Sequence, residues 1–193
     1  MITKSDLKFY WDLTQLVKEK THIDTVKKFL VSRKLDLKIN IFKTSKDEVL
    51  QVYDEKICYT IIGGSSADKK EWRSNFNVGK LAHGVIHEGF YNLATEVLHS
   101  ESLVQCAKMI YIGHSRGGAA VSIISHLRGA YCVGFGTPKA FRRSVKLPFF
   151  TNVYNPLDPV CHVVPFFKRV GQVVKVNFLM RPHTQYGKHL EKI

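Results

Sequence analysis

Gly113-His114-Ser115-Arg116-Gly117 sets a serine between glycines two positions away on either side. That spacing suits a nucleophilic hydroxyl on a sharp strand-to-helix turn, where the backbone is strained and no bulky neighbour fits. The apolar run Met109-Ile110-Tyr111-Ile112 leads into the motif, and the small and apolar residues from Ala119 to Leu127 lead out of it. A helix starting here aims its first amides at the hydroxyl, and the Arg116 amide is placed to stabilise an oxyanion. The competing reading is a glycine-rich turn with an incidental serine. An apolar strand running directly in and a small-residue helix running directly out favour the nucleophile over it.

A serine attacks only with a base to take its proton and an acid to orient that base. For a nucleophile on such a turn the chain order is Ser, then Asp or Glu, then His. After Ser115 the acids are Asp158 and Glu191. Glu191, close to the last residue, is expected to be poorly held. Asp158 lies in Asn155-Pro156-Leu157-Asp158-Pro159, just past the strand-like Phe149 to Tyr154. A strand's C-terminal end is where a parallel sheet gathers its functional side chains, although an aspartate before proline also serves as a turn former. Three histidines follow: His162, His183 and His189. His162 shares the loop of Asp158, and His189 falls inside a short helix expected from about Thr184. His183, in Arg181-Pro182-His183-Thr184 after the last strand, is the favoured base, with the other two as alternatives. His87 and His114 read as supporting hydrogen-bonders or surface residues. The chemistry is attack on an ester carbonyl, an acyl intermediate, and release by water.

These side chains need elements to hold them. Leu7, Tyr10, Trp11, Leu13 and Val17 recur at helical spacing, and Ile23, Val26, Phe29 and Leu30 give a second helix. Thr21 is its expected cap, answered by Asp24. Leu37 to Phe42 and Val49 to Tyr53 pattern as strands. Cys58 to Ile62 is a continuous apolar run ending in Gly63-Gly64, as in an interior strand followed by a loop. Glu88 to Leu98 is an expected helix, and Tyr131 to Val133, Phe149 to Tyr154 and Gln172 to Phe178 are expected strands. Strands alternating with helices predict an α/β fold, a mostly parallel central sheet flanked by helices. Residues 1–193 suit one domain, with the helical segment 1–35 packed on it.

The chain carries 29 Lys and Arg against 16 Asp and Glu, for a net charge of +13. That field attracts anionic lipid, nucleic acid or acidic protein, but the basic residues come in scattered pairs rather than one tract. No nucleic-acid motif appears, and no spacing of Cys and His forms a metal site, so neither cofactor nor metal is expected. Cys58 and Cys132 sit in apolar runs as core thiols. Met1 to Tyr10 lacks the apolar stretch of a signal peptide, and no segment approaches the roughly 18 apolar residues of a membrane span. A cytoplasmic protein is expected.

Several motifs in order resemble the class 3 lipases, the fungal-type family of α/β-hydrolases. Ile62-Gly63-Gly64-Ser65 stands where the family has its oxyanion segment. Glu71-Trp72 with Asn75-Phe76 resembles its Asp-Trp…Asn element, and Ile86-His87-Glu88-Gly89-Phe90 resembles its Val-His-x-Gly-Phe. Gly113 to Gly118, Phe135-Gly136-Thr137-Pro138 and Asp158-Pro159-Val160 followed by Val164-Pro165 complete the run. The likeness covers roughly residues 56 to 190. It implies a Ser115, Asp158, His183 triad. It also implies an oxyanion hole from Ser65, with Gly64 as the alternative, and the Arg116 amide. The implied substrates are lipid esters: triacylglycerol, phospholipid or lysophospholipid. Small soluble esters or thioesters are the second reading, and a non-catalytic polyanion-binding protein on the same scaffold is the third. The chain departs from the family at Gly63, where arginine is usual, at Glu71, and at Arg116, which adds charge beside the acyl site. Ala67 to Val78, in the lid position, is short and polar. These departures bear on substrate and on interfacial activation rather than on ester hydrolysis.

Overall fold

In the computed structural model, residues 2–17, 21–45, 47–64, 81–100, 104, 106–179 and 182–190 are described. The β-branched runs become strands β1 (Lys38–Lys43), β2 (Glu48–Tyr53), β3 (Ile57–Ile62), β4 (Leu81–Ala82), β5 (Ile86–His87), β6 (Lys108–His114), β7 (Tyr131–Phe135), β8 (Phe150–Tyr154) and β9 (Gln172–Lys175). Seven of them form one sheet in the order β1-β2-β3-β6-β7-β8-β9, and β4 pairs with β5 apart from it. The first three make an antiparallel meander, and from β3 onward every pairing is parallel. The sheet is therefore mostly parallel. Its C-terminal strand ends converge where a functional site is expected.

Among the described residues five helices cover the sheet: α1 (Lys4–Thr14), α2 (Ile23–Ser32), α3 (Glu88–Ser100), α4 (Arg116–Arg128) and α5 (Tyr186–Leu190). Period-two alternation sorts each strand between two cores. Ile61, Ile110 and Ile112 join Leu13 of α1, Leu30 of α2 and Leu190 of α5 on one face. Ile62 and Tyr111 join Phe90 of α3 and Ile123 of α4 on the other. Each fully buried aliphatic side chain contributes about 1.5–3 kcal/mol, and Ile61, Ile62, Ile112 and Ile123 are all fully buried.

Two local expectations are corrected. The capping box forms at α1, where Thr3 Oγ1 accepts from the Asp6 amide at 3.1 Å and Asp6 accepts from the Thr3 amide at 2.8 Å. At α2 the cap is His22, with no side-chain bond. The Thr21 amide instead donates to Glu48 Oε2 at 2.7 Å, a tertiary contact that outcompetes the local cap. The last strand stops at Lys175 rather than Phe178. Beyond it the chain leaves the ladder so that Phe178 can stack on His189, ring centroids 4.2 Å apart. The β4–β5 hairpin has too few residues to show a pattern in sequence. Cys58, Cys132 and Cys161 are buried thiols, and among the described residues no helix is long and apolar enough to cross a membrane.

Candidate active site

β6 ends at His114 and α4 begins at Arg116, so Ser115 is the whole of the turn between them. Its backbone sits at φ 55° and ψ −122°. For a residue with a Cβ this costs about 1–3 kcal/mol, which the surrounding fold must supply. The flanking glycines let it. A Cβ on Gly113 would overlap the Gly117 carbonyl, and one on Gly117 would overlap the carbonyl of Ile62 in β3. The Ser115 amide donates to the Phe135 carbonyl at 2.9 Å, which ties the turn to the end of β7. Gly64, past the end of β3, lies so close that a Cβ there would stand 3.0 Å from Ser115 Cβ. Ser65, like the Glu71-Trp72 and Asn75-Phe76 pieces and the 67–78 segment, lies outside the described residues.

Asp158 follows β8 and is fully buried. Its Oδ1 accepts from the Val160 amide at 2.9 Å, so it also caps the short 3-10 helix Pro159–His162. Its Oδ2 accepts from His183 Nδ1 at 2.8 Å, from the Tyr186 hydroxyl at 2.8 Å and from the Cys161 thiol at 3.5 Å. Asp158 therefore holds the turn through one oxygen and the His183 imidazole through the other. Burial alone would oppose its charge, but the His183, Tyr186 and Val160 hydrogen bonds hold Asp158 below the usual carboxylate range. Burial pushes the Cys161 thiol up to about 12 and raises the Tyr186 phenol. Both stay protonated and can only donate to the carboxylate.

His183 is the histidine that Asp158 holds. The other two go elsewhere: His162 donates to the Pro156 carbonyl at 3.0 Å, and His189 stacks on Phe178. His114, the residue before Ser115, packs against the Asp158–His183 pair. Its ring packs 4.5 Å from the His183 ring, and its Nε2–H donates to the His183 carbonyl at 2.9 Å. Withdrawal from water, then the neighbouring His183, pushes its pKa down to about 3, so His114 is neutral. Gly136, at φ 55°, closes the group. A Cβ there would lie 2.9 Å from Asp158 Oδ2 and 3.0 Å from His183 Nδ1.

The Arg116 guanidinium does not add a free charge at this site. Its Nη2 donates to both carboxylate oxygens of Asp47 in the turn between β1 and β2. The charge expected of Arg116 beside the acyl site is thus paired with a partner far away in sequence.

Solved structures with the same architecture include a Rhizomucor miehei lipase propeptide complex, with a TM-score of 0.65 at 17% identity, over 91% of this chain and 67% of that one. A fungal lipase–inhibitor complex gives 0.62 at 18% identity, over 90% and 80%. A mutant form of MDLA from Penicillium cyclopium gives 0.60 at 14% identity, over 98% and 86%. This chain has the α/β-hydrolase fold. At such identities the likeness is one of fold, close to that of fungal-type lipases. No protein-family model and no curated protein matches the chain.

On this α/β-hydrolase scaffold, Ser115 directly follows β6, while Asp158 and His183 lie on the loops that follow β8 and β9. Tyr186, Trp11 and Asp47 were not singled out from the sequence as parts of the site. Trp11 packs edge-on against His114 at 5.3 Å and lies 5.4 Å from Tyr186, so α1 supports the site from beneath. Among the described residues no group of three or more His, Cys, Asp or Glu is arranged to hold a metal ion.

Proposed function

We propose that the protein is a serine carboxylic ester hydrolase that cleaves acyl esters of lipids, triacylglycerol or phospholipid and lysophospholipid, with Ser115, Asp158 and His183 as its triad. Residues 1–193 are read as one hydrolase domain. The observation that carries the reading is the His183 bond to a buried Asp158, at the sheet end where Ser115 is held at φ 55°. In this reading His183 takes the Ser115 proton as the hydroxyl attacks the ester carbonyl. Asp158 keeps the ring in the tautomer with hydrogen on Nδ1 and stabilises the imidazolium. The Arg116 amide, with the Ser65 amide and hydroxyl or the Gly64 amide, takes the oxyanion. His183 then protonates the departing alcohol, and water releases the acyl group.

Lipid is favoured over a soluble ester by exposed apolar side chains on the loops that follow β8 and β9. Leu157, Phe166 and Leu179 are 54%, 88% and 84% exposed. Leu157 precedes Asp158, and Leu179 lies on the approach to His183. Their loops are tied together by the Asn155 Nδ2–H bond to the Phe178 carbonyl at 2.7 Å. Phe166 is displayed by a backbone at φ 65°, unusual for a residue with a side chain. The +13 charge adds attraction to anionic lipid surfaces.

The test is purified protein beside its Ser115→Ala variant, with a fluorophosphonate probe, nitrophenyl esters of increasing chain length, and anionic vesicles. Expected are labelling of the parent only, turnover at least ~10³-fold lower in the variant, and rates that rise with acyl length and on vesicles. Equal activity of parent and variant would end the serine-hydrolase reading. Preference for the shortest esters, with no vesicle effect, would move the substrate to small soluble esters.

A further inference from the structure

Arg116 begins α4, so its N–H is one of the four that no helix bonds internally. Under the reading above, that N–H takes the oxyanion. Its geometry depends on where the first turn of α4 sits, and two features fix that turn. On one side Gly117 is wedged against the carbonyls of Ile62 and Gly63 at the end of β3, with no room for a Cβ. On the other, the Arg116 side chain reaches the turn between β1 and β2 and bonds both oxygens of Asp47.

Asp47 is a fixed post. Its amide donates to Thr44 Oγ1 at 3.0 Å, and its carbonyl accepts from the Thr44 amide at 2.9 Å and from the Thr44 hydroxyl at 3.2 Å. Both partners of the ion pair are 11% exposed in their side chains, so solvent competes little for either. An exposed pair would do little positioning, because two long side chains in water do not hold one geometry. A pair withdrawn from water does hold one, since either charge left alone is costly.

We propose that Asp47, through its ion pair with Arg116, is a positioning residue for the oxyanion amide. This rests on the serine-hydrolase reading. The β1–β2 hairpin thereby contributes to the reaction without touching substrate. The pair draws the Arg116 side chain along the rim and across the ends of β2 and β3. That leaves the amide on the inner side of the turn aligned with the site where negative charge develops, and the guanidinium neutralised away from it. Arg116 Nε is buried without a partner, so the side chain is held by its Nη2 contacts to Asp47 alone among the described residues.

The experiment is a double-mutant cycle on the full chain with Asp47→Ala, Arg116→Met and the double variant, and with Arg116→Lys as the conservative control. Active sites are counted by fluorophosphonate titration, so that poorly folded molecules drop out of the rate. Per titrated site, Asp47→Ala and Arg116→Met are each expected to lower kcat ~10-fold with KM unchanged. That loss is smaller than the 10²–10³-fold drop on deleting an oxyanion donor outright. Phosphonylation, whose adduct carries the same oxyanion, is expected to slow in parallel. The double variant loses no more than either single, because the two groups act as one unit. Arg116→Lys, which still reaches Asp47 with a cation, recovers most of the rate. A kcat per titrated site that is unchanged or raised in Asp47→Ala overturns the proposal, as does a double variant that loses the product of the two single effects. Failure of the parent reading looks different: the unmodified protein would show no titratable serine.

Discussion

Two carboxylates, one buried and one partly buried, lie near the Ser115 turn, and they are held in opposite ways. Asp158 is fully buried and surrounded by donors that carry no permanent charge: an amide, a phenol, a thiol and an imidazole. Asp47 is partly buried and faces a guanidinium that never loses its charge. The first arrangement keeps a negative charge stable while leaving its field unspent, so it can stabilise a positive charge that appears only when His183 is protonated. The second spends its field permanently. A neutralised pair fixes a position and contributes nothing to a charge that comes and goes. Burial alone does not distinguish a carboxylate that does chemistry from one that holds shape. The charge state of its partners does.

The largest test of that contrast replaces each acid. Asp158→Asn keeps the shape and most hydrogen bonds but removes the charge and allows the wrong His183 tautomer. A fall of ~10⁴-fold in kcat is expected, against ~10-fold per titrated site for Asp47→Ala. Similar losses for both would erase the distinction. Next comes Gly136→Ala, which presses a methyl against Asp158 Oδ2 and His183 Nδ1 from a backbone at φ 55°. Shifting the imidazole by a fraction of an ångström is expected to cost up to ~10²-fold in kcat, and the left-handed backbone about 1–3 kcal/mol of stability. Steady-state kinetics and urea unfolding of the same sample separate the two effects.

Much of this contrast was legible on the Asp158 side and little on the Asp47 side, for a physical reason. Ser115 with its glycines follows a strand directly, and Asp158 and His183 lie on the loops after β8 and β9, where local pattern and chain order mark them. Apolar alternation likewise marks both cores. The Asp47–Arg116 pair joins residues with no shared local signal. From sequence, Arg116 stands out beside Ser115, but nothing local ties it to Asp47. Tyr186 looks like an ordinary residue of a short terminal helix until Asp158 is found beside its hydroxyl. The capping box expected at α2 is absent there, where a tertiary partner, Glu48, accepts from the Thr21 amide and His22 is the cap.

A smaller effect is expected from Tyr186→Phe. It removes one donor from Asp158 and leaves the Asn155 amide, which donates to the same phenol at 3.0 Å, without its partner. A hydrogen bond to a charged group contributes about 1.5–3 kcal/mol. A loss in that range is expected, with a kcat change of ~10-fold or less. The pH dependence sharpens it. The folded Asp158 titrates below its ordinary value of 3.8, so its contribution is complete above that value and is lost as pH falls through the lower folded one. Removing Tyr186 raises the folded value. The acid unfolding transition should begin at higher pH in the variant, as urea midpoints measured from about pH 5 to about pH 2 would reveal.

The smallest expected effect on turnover belongs to His114, which touches the same imidazole with the opposite electrostatic habit. Asp158 keeps its charge in the fold, whereas His114 refuses one. Its pKa drops from 6.5 to about 3. Above pH 6.5 folded and unfolded chains are both neutral at this position, so its contribution is complete there. As pH falls from 6.5 toward 3, unfolded chains bind a proton that folded chains do not, and stability drains away. One such proton gives a slope of about 1.4 kcal/mol per pH unit. His114→Gln retains an amide donor for the His183 carbonyl but cannot titrate. Its stability should fall less steeply with acid by about that slope, while kcat near neutral pH changes less than ~10-fold. An unchanged slope would mean that His114 takes up its proton in the folded state, beside His183, where a second positive charge would oppose the imidazolium that Asp158 is arranged to stabilise.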